Sequence, residues 1–214
     1  MRYIFHSVWT ILFIVIFTAC NQVDSPEDKK DIEAEAATVD VFEQSEYSTE
    51  GMRPSAIAEL IDTDENVIGD VTFYDVDGKT AVELTAEGLS PGFHGFHIHD
   101  IGVCEADASD GPFTTAKGHY NPEGTEHPDH AGDLPVAFAS EDGKAQLTVI
   151  TDRFTSRELV EAGAGVIIHE SDDNFANIPD RYQSDAQKKP GPDEETLKAG
   201  DAGSRAACGV VVAP

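Results

Sequence analysis

The chain has 214 residues, with 41 acidic against 14 basic side chains and a formal net charge of −27. That balance excludes a nucleic-acid binder, which needs basic patches to meet phosphate. Three cysteines and eight histidines are few enough to follow one by one.

Residues 1–19 read as a secretory signal. Arg2 gives a positive start, Ile11 to Phe17 is an unbroken apolar run, and Thr18-Ala19-Cys20 ends it with small residues. The run is too short to cross a bilayer, which takes about 20 apolar residues. Cys20 after Thr18-Ala19 resembles the lipobox of bacterial lipoproteins, which implies lipidation at Cys20 and a membrane anchor. Phe17 stands where Leu is usual, and cleavage by an ordinary signal peptidase stays open as the alternative. Residues 20–52 are acidic and poor in large apolar side chains. Such a stretch cannot bury enough surface to offset its ordering entropy, and it reads as a disordered spacer. An acidic partner-binding tail is the other reading. The expected location is the cell envelope, lipid-anchored to a bacterial membrane and facing the periplasm or exterior.

Residues 53–214 suffice for one domain with a real core. Strands are predicted at Ala56–Ile61, Val67–Val76, Thr80–Leu89, Gly95–His99, Val136–Ala139, Ala145–Thr151, Gly165–His169 and Cys208–Val212. Asp77-Gly78 and Glu141-Asp142-Gly143 are hairpin signals between them. One helix is predicted at Ser156–Ala162, with Ser156 as N-cap and Glu158 in its first turn. The fold class that follows is all-β: an eight-stranded Greek-key sandwich or barrel of immunoglobulin-like type. Two stretches without period, Asp100–Leu134 and Glu170–Arg205, are long enough to be functional loops.

Beyond Cys20 only Cys104 and Cys208 remain. In an exported chain the simplest arrangement joins them, with two separate buried thiols as the alternative. Seven of the eight histidines lie between positions 94 and 169. A strand sends alternate side chains to one face, so His97 and His99 can point at one metal.

The motifs now carry a resemblance. His94-Gly95-Phe96-His97-Ile98-His99 with Gly102-Val103-Cys104, then Gly118-His119-Tyr120-Asn121-Pro122, His130-Ala131-Gly132-Asp133-Leu134-Pro135, Val166-Ile167-Ile168-His169-Glu170 and Gly203-Ser204-Arg205-Ala206-Ala207-Cys208-Gly209-Val210 follow one another in order. Together they resemble the signatures of the copper/zinc superoxide dismutases. The resemblance implies copper held by His97, His99, His119 and His169, and zinc by His119, His127, His130 and Asp133. It implies His119 as a catalytic imidazole shared by both metals, and Asp173 as the carboxylate bonding His97 and His127. Imidazole suits both metals, and three imidazoles with one carboxylate make a closed zinc site. His94 is implied to be structural. Superoxide is the implied substrate, Arg205 the group that orients it and Lys198 a steering charge, with Glu194 and Glu195 shaping the field around that lysine. Local field rather than net charge steers a small anion, because distant charges are screened beyond about 8–10 Å.

The chain departs from the family pattern in three places. His127 and His130 are only three apart, which raises the question of whether the zinc set closes. Residues 174–192 form an extended loop, with barrel packing, a subunit contact in a homodimer or guarding of the channel as its open uses. Ala199 stands where many relatives carry threonine at the channel rim, implying a wider opening. A copper-sequestering envelope lipoprotein on the same scaffold is the reading from another class.

Overall fold

The computed structural model describes residues 48–214; the expected signal segment, Cys20 and nearly all of the expected spacer lie outside them. Nine strands form: β1 (Ala56–Asp62), β2 (Val67–Val76), β3 (Lys79–Ala86), β4 (Gly92–His94), β5 (Phe96–His99), β6 (Ala137–Ala139), β7 (Ala145–Thr151), β8 (Gly165–His169) and β9 (Arg205–Val210). Alternation of the kind seen in β1, where Ala56, Ala58 and Leu60 are buried and Ile57 and Glu59 are not, turns one face of each strand inward. The tight turn between β2 and β3 places Asp77 and Gly78 both at positive φ, as Asp-Gly hairpins require.

All pairings are antiparallel, and the sheet order is β4-β6-β7-β3-β2-β1-β9-β8-β5. The two ends of that order, β4 and β5, are consecutive in the chain. The sheet therefore wraps into a nearly closed barrel around Leu60, Phe73, Leu84, Phe96, Ile98 and Ile168.

The fourth predicted strand, Gly95–His99, is corrected: it begins at Phe96, and a ninth strand precedes it. Gly95 is the crossing point. Its N–H donates to the Ser171 carbonyl and its own carbonyl accepts from the His169 N–H. A Cβ at Gly95 would stand 2.7 Å from Ala202 Cβ, so only glycine lets the chain pass from one sheet end to the other. The third strand stops at Ala86 rather than Leu89, and the last runs over Arg205–Val210 rather than Cys208–Val212.

Helix α1 (Ser156–Ala162) forms where predicted, but its N-cap is Thr155. Thr155 and Glu158 make the reciprocal capping box, which needs a spacing of three that Ser156 lacks. Ser156 is buried instead and donates its hydroxyl to Asp75. A second, four-residue helix, α2 (Thr196–Ala199), lies in the last loop and was not predicted.

The first long loop is fastened at both ends. Near its start, Cys104 forms a disulfide with Cys208 of β9, their Cα atoms 5.6 Å apart, over a small core of Phe113, Ala116 and Ile167. Further on, it runs along the free edge of β5: Tyr120 donates its N–H to the Ile98 carbonyl, and Ile98 donates its own to Gly132. Among the described residues, no helix is long and apolar enough to cross a membrane.

Candidate metal centre

β5 carries His97 and His99 on the face opposite its core residues Phe96 and Ile98, toward the loops that cover the barrel, and both are buried. The loop segments laid along its edge deliver the partners. An isolated bridge sets His99 opposite His119, and another sets His97 opposite Asp133. His169 ends the neighbouring strand β8, paired in register beside β5. Two groups of four result, each with its donor atoms within 4.8 Å of one another: His97, His99, His119 and His169, then His119, His127, His130 and Asp133. His119 belongs to both.

Hydrogen bonds decide which nitrogen of each ring is left over. His97 Nε2 lies 2.7 Å from Asp173 Oδ2, His99 Nδ1 2.9 Å from the Lys117 carbonyl, and His169 Nδ1 3.1 Å from the Gly203 carbonyl. His127 Nε2 lies 2.8 Å from Asp173 Oδ1. Each of these rings can donate one N–H outward, which fixes its tautomer and presents the other nitrogen as a lone pair. Those other nitrogens, His97 Nδ1, His99 Nε2, His127 Nδ1 and His169 Nε2, are buried without a hydrogen-bond partner, and so is His119 Nε2. Buried polar atoms are seldom left unpaired, and a cluster of them calls for a cation.

The second group has the spacing of a metal shell. His130 Nδ1 lies 3.3 Å from His119 Nδ1 and 3.3 Å from Asp133 Oδ1, and His127 Nδ1 lies 3.1 Å from Asp133 Oδ2. Ligands about 2.0–2.1 Å from one tetrahedral zinc stand about 3.3–3.4 Å apart. A closer approach, His119 Nδ1 to Asp133 Oδ1 at 2.6 Å, has the length of a charge-assisted hydrogen bond. The short His127–His130 spacing therefore still allows all four donors to converge. Phe175 from the extended loop stacks nearly parallel on His127, with ring centroids 6.4 Å apart. His94 stays apart, with both ring nitrogens taken by the carbonyls of His169 and Ser90.

Burial, reinforced by neighbouring histidines, holds the His99 pKa well below its ordinary value and brings His119 to about 4 and His169 to about 3. Neutral imidazole is the form that binds metal. Burial also opposes charging His127, but Asp133 and Asp173 outweigh it and raise that ring to about 9. Burial works against both carboxylates too, yet their histidine donors hold them well below the usual range.

A cavity of about 620 Å³ opens onto His99, His119 and His169, with Arg205 beside them. The Arg205 guanidinium donates to the carbonyls of Phe113 and Lys117. The Lys117 carbonyl thus serves both His99 and Arg205. Lys198, on the same cavity, is paired with Glu195 at 3.0 Å and Glu194 at 3.3 Å. Sequence reasoning missed Lys117, Arg153 and Gly200. Lys117 acts through its own carbonyl and Arg153 by donating to the carbonyls of Pro128 and His130, so neither leaves a side-chain motif. A Cβ at Gly200 would stand 1.8 Å from Asp173 Oδ1, and nothing in the local sequence signals that approach.

The closing barrel and the two convergent donor sets that share one imidazole define a β-barrel protein with two adjacent candidate metal sites. Residues 67–211 match the family described as copper/zinc superoxide dismutase (SODC). The superoxide dismutase [Cu-Zn] of Mycobacterium tuberculosis is 39% identical over 167 residues, covering 73% of this chain and 70% of that protein. Among solved structures, the clock protein EA4 is 30% identical with a TM-score of 0.59, covering 78% of this chain and 98% of its own. A double mutant of a SOD-like protein from Bacillus subtilis is 25% identical with a TM-score of 0.56, covering 73% and 96%. The chain belongs to the copper/zinc superoxide dismutase family, an oxidoreductase family with copper and zinc as its cofactors.

Proposed function

We propose that this chain dismutates superoxide with copper held by His97 Nδ1, His99 Nε2, His119 Nε2 and His169 Nε2. Zinc would be held by His119, His127 and His130, through Nδ1 of each ring, with a carboxylate oxygen of Asp133. The observation that carries this reading is the His119 ring, whose two nitrogens face the two donor sets. Copper supplies the one-electron chemistry, by which two superoxides and two protons become oxygen and hydrogen peroxide.

The chain's own residues do the rest. Arg205 binds and orients the anion by charge and directed N–H groups, and carbonyls of Phe113 and Lys117 hold it in place. His119 Nε2, buried without a hydrogen-bond partner, is the atom positioned to hold the proton that the peroxide needs. Asp133 and Asp173 fix ring orientation. Lys198 contributes to steering from the rim, its charge offset by Glu194 and Glu195.

The same proposal extends to export. Residues 1–19 are the signal, Cys20 carries the lipid and residues 20–52 space the domain from an envelope membrane; the small-residue end of the apolar run supports it. Exposed Ile57, Val210 and Val212, on and just beyond β1 and β9, support assembly as a homodimer. Metal analysis of the purified chain tests the core of the reading. One copper and one zinc are expected, and His119→Ala should weaken both sites at once. Loss of one metal alone would refute a shared imidazole.

A further inference from the structure

The zinc donors His127 and His130 are separated only by Pro128 and Asp129, yet both rings turn Nδ1 toward one point. Such a short segment has little freedom to adjust, so what holds its main chain decides where the rings stand. Within the loop, Asn121 clamps Thr125, and Thr125 Oγ1 donates to the Asp129 carbonyl at 2.7 Å. From the last loop, the Leu197 carbonyl accepts the His127 N–H at 3.0 Å. The carbonyls of Pro128 and His130, which flank Asp129, are held from the barrel instead. Arg153, two residues beyond β7, donates Nη1 to both, each at 3.0 Å. Its own main chain is anchored by an N–H bond to Thr151 Oγ1 at 3.1 Å.

Among the described residues, Arg153 makes no ion pair with a carboxylate, so its donors are not drawn elsewhere. Its side chain is exposed and adds nothing to the hydrophobic core. Its side-chain hydrogen bonds therefore join the chain just beyond β7 to the zinc-side segment. A guanidinium suits that task, because bonds from a charged donor are stronger than neutral ones and its planar head loses little freedom on binding.

We propose that Arg153 is a positioning residue for the zinc half of the site: it sets where His127 and His130 present Nδ1, and thereby how slowly zinc leaves. This rests on the zinc assignment above. Partners one step removed from a metal commonly change its affinity by about 10–100-fold when lost.

The test uses the full chain loaded with copper and zinc, with Arg153→Ala, Arg153→Lys and, as an exposed control on α1, Arg157→Ala. Zinc release to a chromophoric chelator should be about tenfold or more faster in Arg153→Ala. Arg153→Lys, which can still donate to both carbonyls, should recover much of the difference, and Arg157→Ala should behave as wild type. Cobalt(II) in the zinc position should show a weakened, shifted tetrahedral absorption in Arg153→Ala. Copper content and the urea midpoint of the metal-free protein should not move. Less than a fivefold change in release, or a change matched by a lower metal-free midpoint, overturns the proposal. A wild-type protein that binds no zinc and gives no tetrahedral cobalt spectrum refutes the zinc assignment instead.

Discussion

His97 and His127 share one anchor: Nε2 of the first meets Asp173 Oδ2 at 2.7 Å, and Nε2 of the second meets Oδ1 at 2.8 Å. One carboxylate thus orients a ring from each donor set, while the Phe175 N–H, 2.7 Å from Oδ1, holds the carboxylate itself. Gly200 leaves it room.

Asp173→Asn separates these roles. An amide offers one acceptor oxygen and a donor NH2, so only one of the two imidazole N–H groups keeps its acceptor. Zinc affinity should fall by about 10–100-fold, as measured by chelator competition. Unchanged affinity would mean that the rings are held by packing alone.

Arg205→Ala should lower the dismutation rate constant by about tenfold or more and flatten its dependence on ionic strength, since local charge raises anion encounter by about 10–10³-fold. Copper and zinc content should stay intact, because Arg205 touches carbonyls rather than ligand nitrogens. Rates followed after a pulse of superoxide at several salt concentrations check this. An unaltered rate removes Arg205 from substrate handling.

Changing Cys104 and Cys208 together to serine opens a cross-link spanning 104 positions. The chain-entropy account gives about 4–5 kcal/mol for a loop of that size. The loss should appear as a lower urea midpoint of the metal-free protein, with the loop under Phe113 and Ala116 exchanging its amides first. A midpoint that does not move would show the loop to be held by that packing.

The metal-free protein should be most resistant to urea near pH 6.5. His119 and His169, brought to about 4 and about 3, stay neutral in the fold while the unfolded chain takes up protons below about 6.5. Their effect is absent above that pH, and stability falls as pH drops toward 3. Asp133 and Asp173, held below the usual carboxylate range, add to the acid loss below about 4. His127, raised to about 9, works in the other direction: its contribution is complete below 6.5 and is lost as pH rises through 9. Urea midpoints from pH 4 to about 10 test both arms. A flat profile would mean that these rings do not differ between the folded and unfolded chain.

Much of this was legible in the chain. Short segments rich in Val, Ile, Thr and aromatic residues marked the strands, and Asp77-Gly78 marked its hairpin. Order and residue type picked out the seven residues of the two donor groups and the Cys104–Cys208 pair. What was not legible depended on main chain or on distant partners. The break at Gly95 is one residue inside a run that reads as a single strand. The choice of Thr155 over Ser156 turns on the position of Glu158. Helix α2 has four residues in a loop rich in glycine, proline and acid. Lys117, at φ 64 and ψ −146, holds a conformation that favours glycine, and serves His99 and Arg205 through its carbonyl alone.

Two donor sets meeting at His119 are what make this chain a turning-over dismutase. The direct test is superoxide decay with the purified chain loaded with one copper and one zinc, beside His119→Ala offered the same amounts of both metals. Superoxide dismutases as a class are known to reach the diffusional ceiling of about 10⁸–10⁹ M⁻¹s⁻¹. A rate constant approaching that ceiling, lost in His119→Ala and abolished by cyanide, is the expected result. Copper bound stoichiometrically with no acceleration of superoxide decay would contradict the account and favour copper sequestration on the same scaffold.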